Sequence, residues 1–345
     1  MLSPLFFKKT VYLWAAVFLV LHFSSAVCPA QSTAPENGGG IPDVFVFSDS
    51  GNDGNYALLV DKGTQQLMVY ESSNGVVREK LRFRCSTGEI SGPKQRSGDK
   101  KTPEGVYFIV NRFTAKDLTP VYGTRAFPLD YPNLLDKMAG RSGYSIWMHG
   151  TDKPLKDRNS NGCIVLENSS IEQVGQYIAL NRTPVIIVPH LSFQDVETFK
   201  KSREKVFGFL THWNRALETG SRPDFMKLYR SSALSGVSAW WYEWEKADKA
   251  FKATRSPLSV SMQKIAVYRH RDVYLALFDL ALESGGRQVY AGTRKLFFKS
   301  INGRFLIVGD TYQTSGKKRT GGQFNPFIAA CRKLAETIPH LSDLR

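Results

Sequence analysis

The chain reads YSIWMHGT from Tyr144 to Thr151 and SNGCIVL from Ser160 to Leu166. The apolar run that ends at His149 predicts a strand with the histidine at its end. Cys163 lies between turn formers and a second apolar run, which predicts a thiol at the start of another strand. An imidazole and a thiol therefore fall within one stretch of fifteen residues, with glycine directly after the histidine and directly before the cysteine.

Strand patterns continue on both sides of this stretch. Ser73-Asn74-Gly75 joins two of them as a hairpin, and Ser169 to Glu172 has the spacing of a capping box that opens a short helix. This part of the chain is therefore predicted to be mainly β. The predicted strands cover 56–60, 66–70, 76–83, 106–110 and 184–188.

The C-terminal part of the chain has a different pattern. Apolar residues from Val206 to Leu217 repeat at helical spacing, a second helical pattern covers Asp224 to Leu234, and Asn325-Pro326 opens a final helix. Helices followed by an antiparallel meander indicate an α+β domain. The meander is predicted from strands at 273–280, 287–299 and 304–312, the last two joined through Asn302-Gly303.

The charge is also unevenly distributed. The 345 residues carry a formal net charge of +15, and 42% of them are hydrophobic, which is enough for a sizeable core and excludes a disordered chain. Residues 191–345 hold 26 lysines and arginines against 14 acidic residues, whereas residues 1–190 hold 20 against 17. This shift supports a domain boundary near 191–205.

The first thirty residues have the order of a secretory signal peptide. Lys8 and Lys9 precede an apolar run from Val11 to Phe23, which is shorter than the roughly 20 residues of a membrane-spanning helix. We therefore expect cleavage near Ala30 and an exported, periplasmic protein without an integral membrane span after cleavage. A second interpretation stays open, in which Cys28 is lipidated rather than removed with the signal.

Five segments follow from these patterns. The expected order is a signal peptide at 1–30, a flexible tether at 31–42, a mainly β domain at 43–190, a linker at 191–204 and an α+β domain at 205–345.

Cys163 is the candidate nucleophile and His149 the candidate base. Cys85 follows an alternating strand pattern and Cys331 lies at helical spacing among apolar residues, so both are expected to be buried and inert. A free thiol is mostly protonated at neutral pH, and a nearby imidazole can lower its pKa, so the pair favours acyl transfer. One histidine and one cysteine fall short of the ligands that zinc needs, so neither a metal nor another cofactor is expected.

The motifs in this region resemble those of the L,D-transpeptidases. The resemblance rests on four motifs in family order, Cys85-Ser-Thr-Gly88, Gly98-Asp-Lys-Lys-Thr-Pro-Glu-Gly-Val-Tyr107, His149-Gly150-Thr151 and Ser160-Asn161-Gly162-Cys163. It implies a β-sandwich whose cysteine attacks a peptidoglycan stem peptide and expels D-alanine. Carried over, Ser160 holds His149 through its backbone carbonyl, and the amides of Gly162 and Cys163 line the oxyanion hole. Gly150, Thr151 and Asn161 are then expected at the oxyanion and substrate positions.

Two residues depart from the family pattern. Asn161 stands where histidine is common, and Val165 stands where arginine is common. These departures resemble the L,D-carboxypeptidase branch, in which water rather than an amine resolves the acyl-enzyme. The resemblance therefore leaves transpeptidase and carboxypeptidase outcomes open.

The C-terminal part more loosely resembles a cone-shaped nuclear-transport-factor-like α+β domain. Its positive charge favours an anionic glycan, with a protein partner as the alternative, and no motif indicates nucleic acid. Two alternatives to an enzyme also stay open, a catalytically decayed wall-binding protein and a scaffold that recruits a partner. Lys100 and Lys101 are expected to be solvated, and core packing is expected for Tyr144, Trp147 and Trp213.

Overall fold

The computed structural model describes residues 40–49, 55–73, 75–254, 257–313 and 325–336. The predicted signal peptide, Cys28 and the tether up to residue 39 lie outside these residues. Within the described part of the chain, no helix combines the length and the apolar character that a membrane span requires.

The described chain up to Gln194 consists mainly of short strands. These strands are β1 (Ile41–Pro42), β2 (Phe45–Asp49), β3 (Asn55–Asp61), β4 (Gln66–Ser73), β5 (Val76–Arg84), β6 (Gly105–Phe108), β7 (Phe113–Thr114), β8 (Arg125–Pro128), β9 (Trp147–His149), β10 (Ile164–Val165), β11 (Pro184–Val188) and β12 (Phe193–Gln194). The helices between them are α1 (Leu134–Met138) and α2 (Asn168–Gly175), with single 3₁₀ turns at Ala115–Asp117 and Pro120–Tyr122.

Longer elements make up the remainder. The helices are α3 (Val196–Glu218), α4 (Arg222–Met226), α5 (Leu234–Lys252) and α6 (Pro326–Ala335), with a 3₁₀ turn at Ser231–Ala233. The strands are β13 (Ser259–His270), β14 (Val273–Ser284), β15 (Arg287–Ile301) and β16 (Arg304–Tyr312).

Two sheets form a β-sandwich that carries His149 and Cys163. One sheet has the order β5-β4-β3-β11-β6 and the other has the order β10-β9-β8-β7. Fully buried side chains from both sheets meet between them, among them Leu58 and Val185 from the first and Met148 and Ile164 from the second. Each such side chain contributes about 1.5–3 kcal/mol when it leaves water. The predicted mainly β fold is therefore confirmed.

The C-terminal sheet has the order β16-β15-β14-β13-β2 and packs on both faces. Because side chains alternate along a strand, β14 turns Leu275 and Leu277 toward the sandwich and Ala276 and Phe278 toward α3, α5 and α6. The helical face is the larger core and includes Trp213, Trp241 and Trp244. The predicted α+β class is therefore confirmed, while the nuclear-transport-factor likeness stays a prediction.

The structure departs from the predicted segment borders at three places. Ile41–Pro42, assigned to the tether, pairs with Phe193–Gln194 as β1 and β12. Strand β2 joins the C-terminal sheet beside β13 rather than the sandwich. Helix α3 begins within the predicted linker because Asp195 caps it by accepting a hydrogen bond from the Thr198 amide at 2.8 Å. The first two pairings join residues more than 100 positions apart, which local patterns do not reveal.

Two helix predictions also need correction. Helix α2 begins at Asn168 with Glu167 as its N-cap, and no side chain caps it, so the capping box predicted at Ser169 to Glu172 is wrong. The single helix predicted at Asp224 to Leu234 is also wrong, since α4 ends at Met226 and α5 begins only at Leu234. The long helix α5 itself was not predicted. Its signal is present, since the buried Val237, Trp241 and Trp244 recur at helical spacing.

Candidate active site

Strands β9 and β10 place His149 and Cys163 on the same face of the smaller sheet. The strands are parallel, and His149 lies opposite Val165. Cys163 directly precedes β10 and comes two residues before Val165. Its Sγ hydrogen-bonds to the carbonyl of Ser145, which lies two residues before β9, so the alternation of β10 extends to Cys163. Met148 and Ile164 alternate with them and point into the sandwich core. The core therefore fixes both strands and leaves the imidazole and the thiol on the opposite face.

The position of His149 fixes its tautomer. Its Nδ1 lies 2.6 Å from the carbonyl oxygen of Gly150. Since a carbonyl oxygen only accepts, Nδ1 carries the proton and the Nε2 lone pair can accept one. Burial lowers the pKa of His149, and the Gly150 hydrogen bond opposes this shift. The imidazole is therefore neutral at pH 7, which is the form a general base requires.

The thiol of Cys163 is protonated in the resting site. Its Sγ donates to the carbonyl oxygen of Ser145 at 3.7 Å. Burial raises the pKa of the Cys163 thiol, while a backbone hydrogen bond from Trp147 and the charge of Lys94 act in the opposite direction. The sequence predicted a thiol pKa lowered by the imidazole, so the direction is corrected. The site therefore holds a neutral thiol and a neutral imidazole.

Ser160 organises the loop before the nucleophile, although not as predicted. Its Oγ donates to the carbonyl of Cys163 at 2.7 Å and accepts from the Gly162 amide at 3.1 Å. Its own carbonyl accepts from the Glu89 amide at 3.1 Å. The carbonyl that orients His149 belongs to Gly150. Ser160 is thus a loop-shaping residue rather than the predicted support for the imidazole, because the local turn directs its carbonyl to Glu89.

The other predicted oxyanion and substrate residues divide by their hydrogen bonds. The Gly150 amide donates to the Arg125 carbonyl at 3.0 Å, so it serves the strand ladder instead of an oxyanion. The Thr151 hydroxyl accepts from the Lys153 amide at 3.1 Å, and Asn161 is exposed beside the nucleophile. The amide of Cys163 has no hydrogen-bond partner among the described residues, which makes it the best oxyanion donor.

Thr102 holds that amide in place and was missed as a site residue. Its Oγ1 donates to the carbonyl of Gly162 at 3.0 Å and accepts from the Gly88 amide at 2.8 Å. The Gly162 carbonyl and the Cys163 N–H belong to one planar peptide unit, so fixing one fixes the other. The signal lay in Thr102-Pro103-Glu104-Gly105, which as a sequence is indistinguishable from an ordinary turn before a strand.

The burial predicted for the aromatic and charged residues is correct for some of them and wrong for others. Trp213 is fully buried in the C-terminal core, as predicted, but Tyr144 is 74% exposed, so core packing is wrong for it. Trp147 is partly buried and contacts Tyr122, whose ring lies 5.0 Å from that of His149. Lys100 pairs with Glu89 at the surface, in line with a solvated charge. An aromatic wall therefore flanks the imidazole.

Gly162 has to be glycine for steric reasons. Its φ is +121°, and an added Cβ would lie 2.7 Å from the Lys101 carbonyl oxygen. We expect Gly162→Ala to reduce acylation of Cys163 about 100-fold, since it displaces an oxyanion donor. It should also lower the free energy of unfolding by about 1–3 kcal/mol through backbone strain. Acylation by p-nitrophenyl acetate and urea denaturation measure the two effects.

Gly208 supplies the matched control for that substitution. It lies in α3, and an added Cβ meets nothing within 4 Å. Gly208→Ala should leave acylation unchanged and should not destabilise the fold, because alanine favours a helix. Equal effects of the two substitutions would contradict the role assigned to Gly162.

The comparison with known families now bears on this site. Residues 55–187, which include β3 to β11, match the family described as the L,D-transpeptidase catalytic domain, or YkuD. These residues belong to the L,D-transpeptidase family. His149 and Cys163 both lie inside the matched L,D-transpeptidase segment.

Relatives extend the likeness with different coverage. YafK of Escherichia coli (strain K12), a protein named for the L,D-transpeptidases, is 36% identical over 94 residues, which are 27% of this chain and 35% of YafK. The match thus spans about a third of that relative's length. Bd1075 of Bdellovibrio bacteriovorus shares the fold with a TM-score of 0.68 at 24% identity, covering 81% of this chain and all of Bd1075.

A second solved structure matches this chain over a similar length. The helical cell shape determining protein Pgp2 of Campylobacter jejuni has a TM-score of 0.61 at 22% identity, over 79% of this chain and 96% of Pgp2. Both coverages exceed the residues of the L,D-transpeptidase segment. The shared fold therefore extends beyond residues 55–187.

Proposed function

We propose that this protein is an exported cysteine enzyme that cleaves the L,D bond of peptidoglycan stem peptides through an acyl-enzyme on Cys163. The observation that carries the proposal is the placement of the Cys163 thiol and the His149 imidazole on one face of the smaller sheet. Among the described residues, neither His149 Nε2 nor the Cys163 amide has a hydrogen-bond partner. These are the nucleophile, base and oxyanion donor of acyl transfer.

The proposed first half-reaction needs two proton transfers, one from the thiol to His149 and one from His149 to the leaving group. His149 Nε2 takes the thiol proton as Sγ bonds to the carbonyl carbon of the stem peptide. The negative oxygen of the tetrahedral intermediate accepts from the Cys163 amide. When the C–N bond breaks, D-alanine leaves with the proton from His149, and a thioester remains on Cys163. Water or an amine then resolves the thioester, which gives carboxypeptidase or transpeptidase activity.

Charge and surroundings support a wall polymer as the substrate. The chain carries a formal net charge of +15, and a positive protein is attracted to anionic polymers. The exposed Tyr144 and the Tyr122–Trp147 wall supply apolar surfaces beside the nucleophile. The predicted signal peptide at 1–30 is the basis for export to the periplasm. Since Pgp2 is described as determining helical cell shape, we extend the proposal to a role in cell shape.

Incubation of the full-length mature protein with tetrapeptide muropeptides tests the proposal. Mass spectrometry should show the loss of one alanine if water is the acceptor, and joined stems if an amine is the acceptor. The same sample should contain an acyl adduct on Cys163. If no stem peptide changes, the enzymatic proposal fails.

The exposed Asn161 next to the nucleophile favours a second candidate, a wall-binding protein with a decayed site. It predicts that the protein sediments with isolated sacculi but leaves muropeptides unchanged. Rapid acylation of Cys163 by a carbapenem would contradict this candidate, because a decayed site does not acylate.

A further inference from the structure

Glu104 carries a buried carboxylate that two cations share, one from the sandwich and one from the C-terminal sheet. Its Oε1 accepts from Lys62 Nζ at 3.0 Å, and its Oε2 accepts from Arg271 Nη2 at 2.8 Å. The Glu104 side chain is 2% exposed, whereas Arg271 is 58% exposed. Arg271 lies between β13 and β14, so the C-terminal sheet supplies half of the hydrogen bonding to a carboxylate of the sandwich.

Lys62 connects Glu104 to the segment that precedes β6. Its ammonium also donates to the Gly92 carbonyl at 2.7 Å and to the Thr102 carbonyl at 2.8 Å. An ammonium has three donors, so all of them are used. Lys62 thereby fixes both ends of the segment 92–102, and Glu104 fixes the position of Lys62.

Thr102 carries the contact to the nucleophile. Its side chain is fully buried and donates to the Gly162 carbonyl at 3.0 Å. That carbonyl and the Cys163 N–H point in opposite directions within one rigid peptide unit. Oxyanion stabilisation depends on donors held within tenths of an ångström of the best distance, so the orientation of this peptide affects the rate directly.

We propose that Arg271 is a positioning residue which acts through Glu104, Lys62 and Thr102 to aim the Cys163 amide at the oxyanion. The C-terminal sheet thus contributes to acylation without contacting the substrate. The proposal rests on the proposed function only in taking Cys163 as the residue that is acylated. It assigns no substrate of its own.

The experiment compares two reagents on the full-length protein. p-Nitrophenyl acetate acylates a thiol through an oxyanion, whereas iodoacetamide alkylates it at a saturated carbon with no oxyanion. Peptide mass spectrometry follows both reactions at Cys163. The ratio of the two rates therefore reports the oxyanion donor and cancels changes in thiol access or pKa.

The acylation rates of four variants should depend on whether each variant keeps the hydroxyl of residue 102 or the cation of residue 271. Thr102→Val should lower the acylation rate about 10- to 100-fold at an unchanged alkylation rate, while Thr102→Ser keeps the hydroxyl and stays within about 3-fold of wild type. Arg271→Gln should lower acylation about 3- to 10-fold, and Arg271→Lys, which keeps the cation, should restore most of it. Arg271 is exposed, so its variants should fold.

Three results would overturn the positioning role proposed for Arg271. They are an equal loss of acylation and alkylation, an unchanged acylation rate in Arg271→Gln, and a Thr102→Ser variant as impaired as Thr102→Val. A failure of the proposed function gives a different result. In that case the variants would still differ in the ratio of acylation to alkylation rate, but the wild-type protein would leave muropeptides intact.

Discussion

Cys163→Ala is expected to abolish turnover of stem peptides, with a loss on the order of 10⁴-fold or more. The thiol supplies the only bond between enzyme and acyl group in the proposed reaction, and alanine has nothing to replace it. Cys163 is also the one partly exposed thiol among the described cysteines, since Cys85 and Cys331 are buried. Product analysis by mass spectrometry and the intact mass of the protein after a carbapenem reaction both measure this loss.

Cys331→Ala is the matched control for that variant. Cys331 lies in α6 within the helical core, and the residue is 2% exposed. The substitution removes a buried sulfur far along the chain from β10 and should leave turnover and acyl adduct formation at the wild-type level. Full turnover by Cys163→Ala would refute the covalent mechanism.

His149→Gln should lower the acylation rate of Cys163 at pH 7 by about 10²- to 10⁴-fold, the usual contribution of a general base. Burial holds the pKa of His149 below its ordinary value and the pKa of the Cys163 thiol above its ordinary value. Between those values the wild-type site holds a neutral base beside a neutral thiol, so its rate should be flat. As the pH falls through the lowered pKa of His149, the base becomes protonated and the rate should decline.

The pH profile of His149→Gln provides the sharper measurement. Without a base, the reaction requires a thiolate formed by hydroxide, so its rate should rise about 10-fold per pH unit up to the raised thiol pKa. Tyr122→Phe is the matched control because it keeps the ring 5.0 Å from the imidazole, and its profile should follow the wild type. A flat profile for His149→Gln would refute the base assignment.

Hydrogen bonding explains why few of the backbone amides predicted at the oxyanion position are available. Gly150 uses its amide in the strand ladder and Gly162 uses its amide on Ser160 Oγ. The amide of Cys163 is left free while the carbonyl of the same peptide is fixed by Thr102. A glycine in a motif thus marks close approach of the backbone as readily as an open donor.

Much of the secondary structure followed from local patterns. The hairpins at Gly75 and Asn302-Gly303 lie where their turn residues predicted, and β11 and β16 have the predicted bounds. The final helix begins with Asn325 as its cap and buries Phe327 and Leu334. These features depend on side chains that are neighbours in sequence. The predicted capping box at α2 is wrong because Glu167, two residues before Ser169, already takes the extended conformation that precedes the helix.

The sequence by itself determined the candidate pair His149 and Cys163 and the mainly β and α+β segments of the chain. His149 ends one apolar run and Cys163 directly precedes another, each beside a glycine. Strand alternation places each side chain opposite its apolar neighbours, which pack in the core. The motifs also carried the resemblance that residues 55–187 bear out.

Only the tertiary structure decided how those residues are tuned. The raised pKa of Cys163 and the lowered pKa of His149 come from burial by elements distant in sequence. The Arg271–Glu104 contact joins residues 167 positions apart, and β2 joins a sheet whose other strands begin more than 200 residues later. Desolvation and buried ion pairing depend on what packs around a group, and no local pattern of residues contains that information.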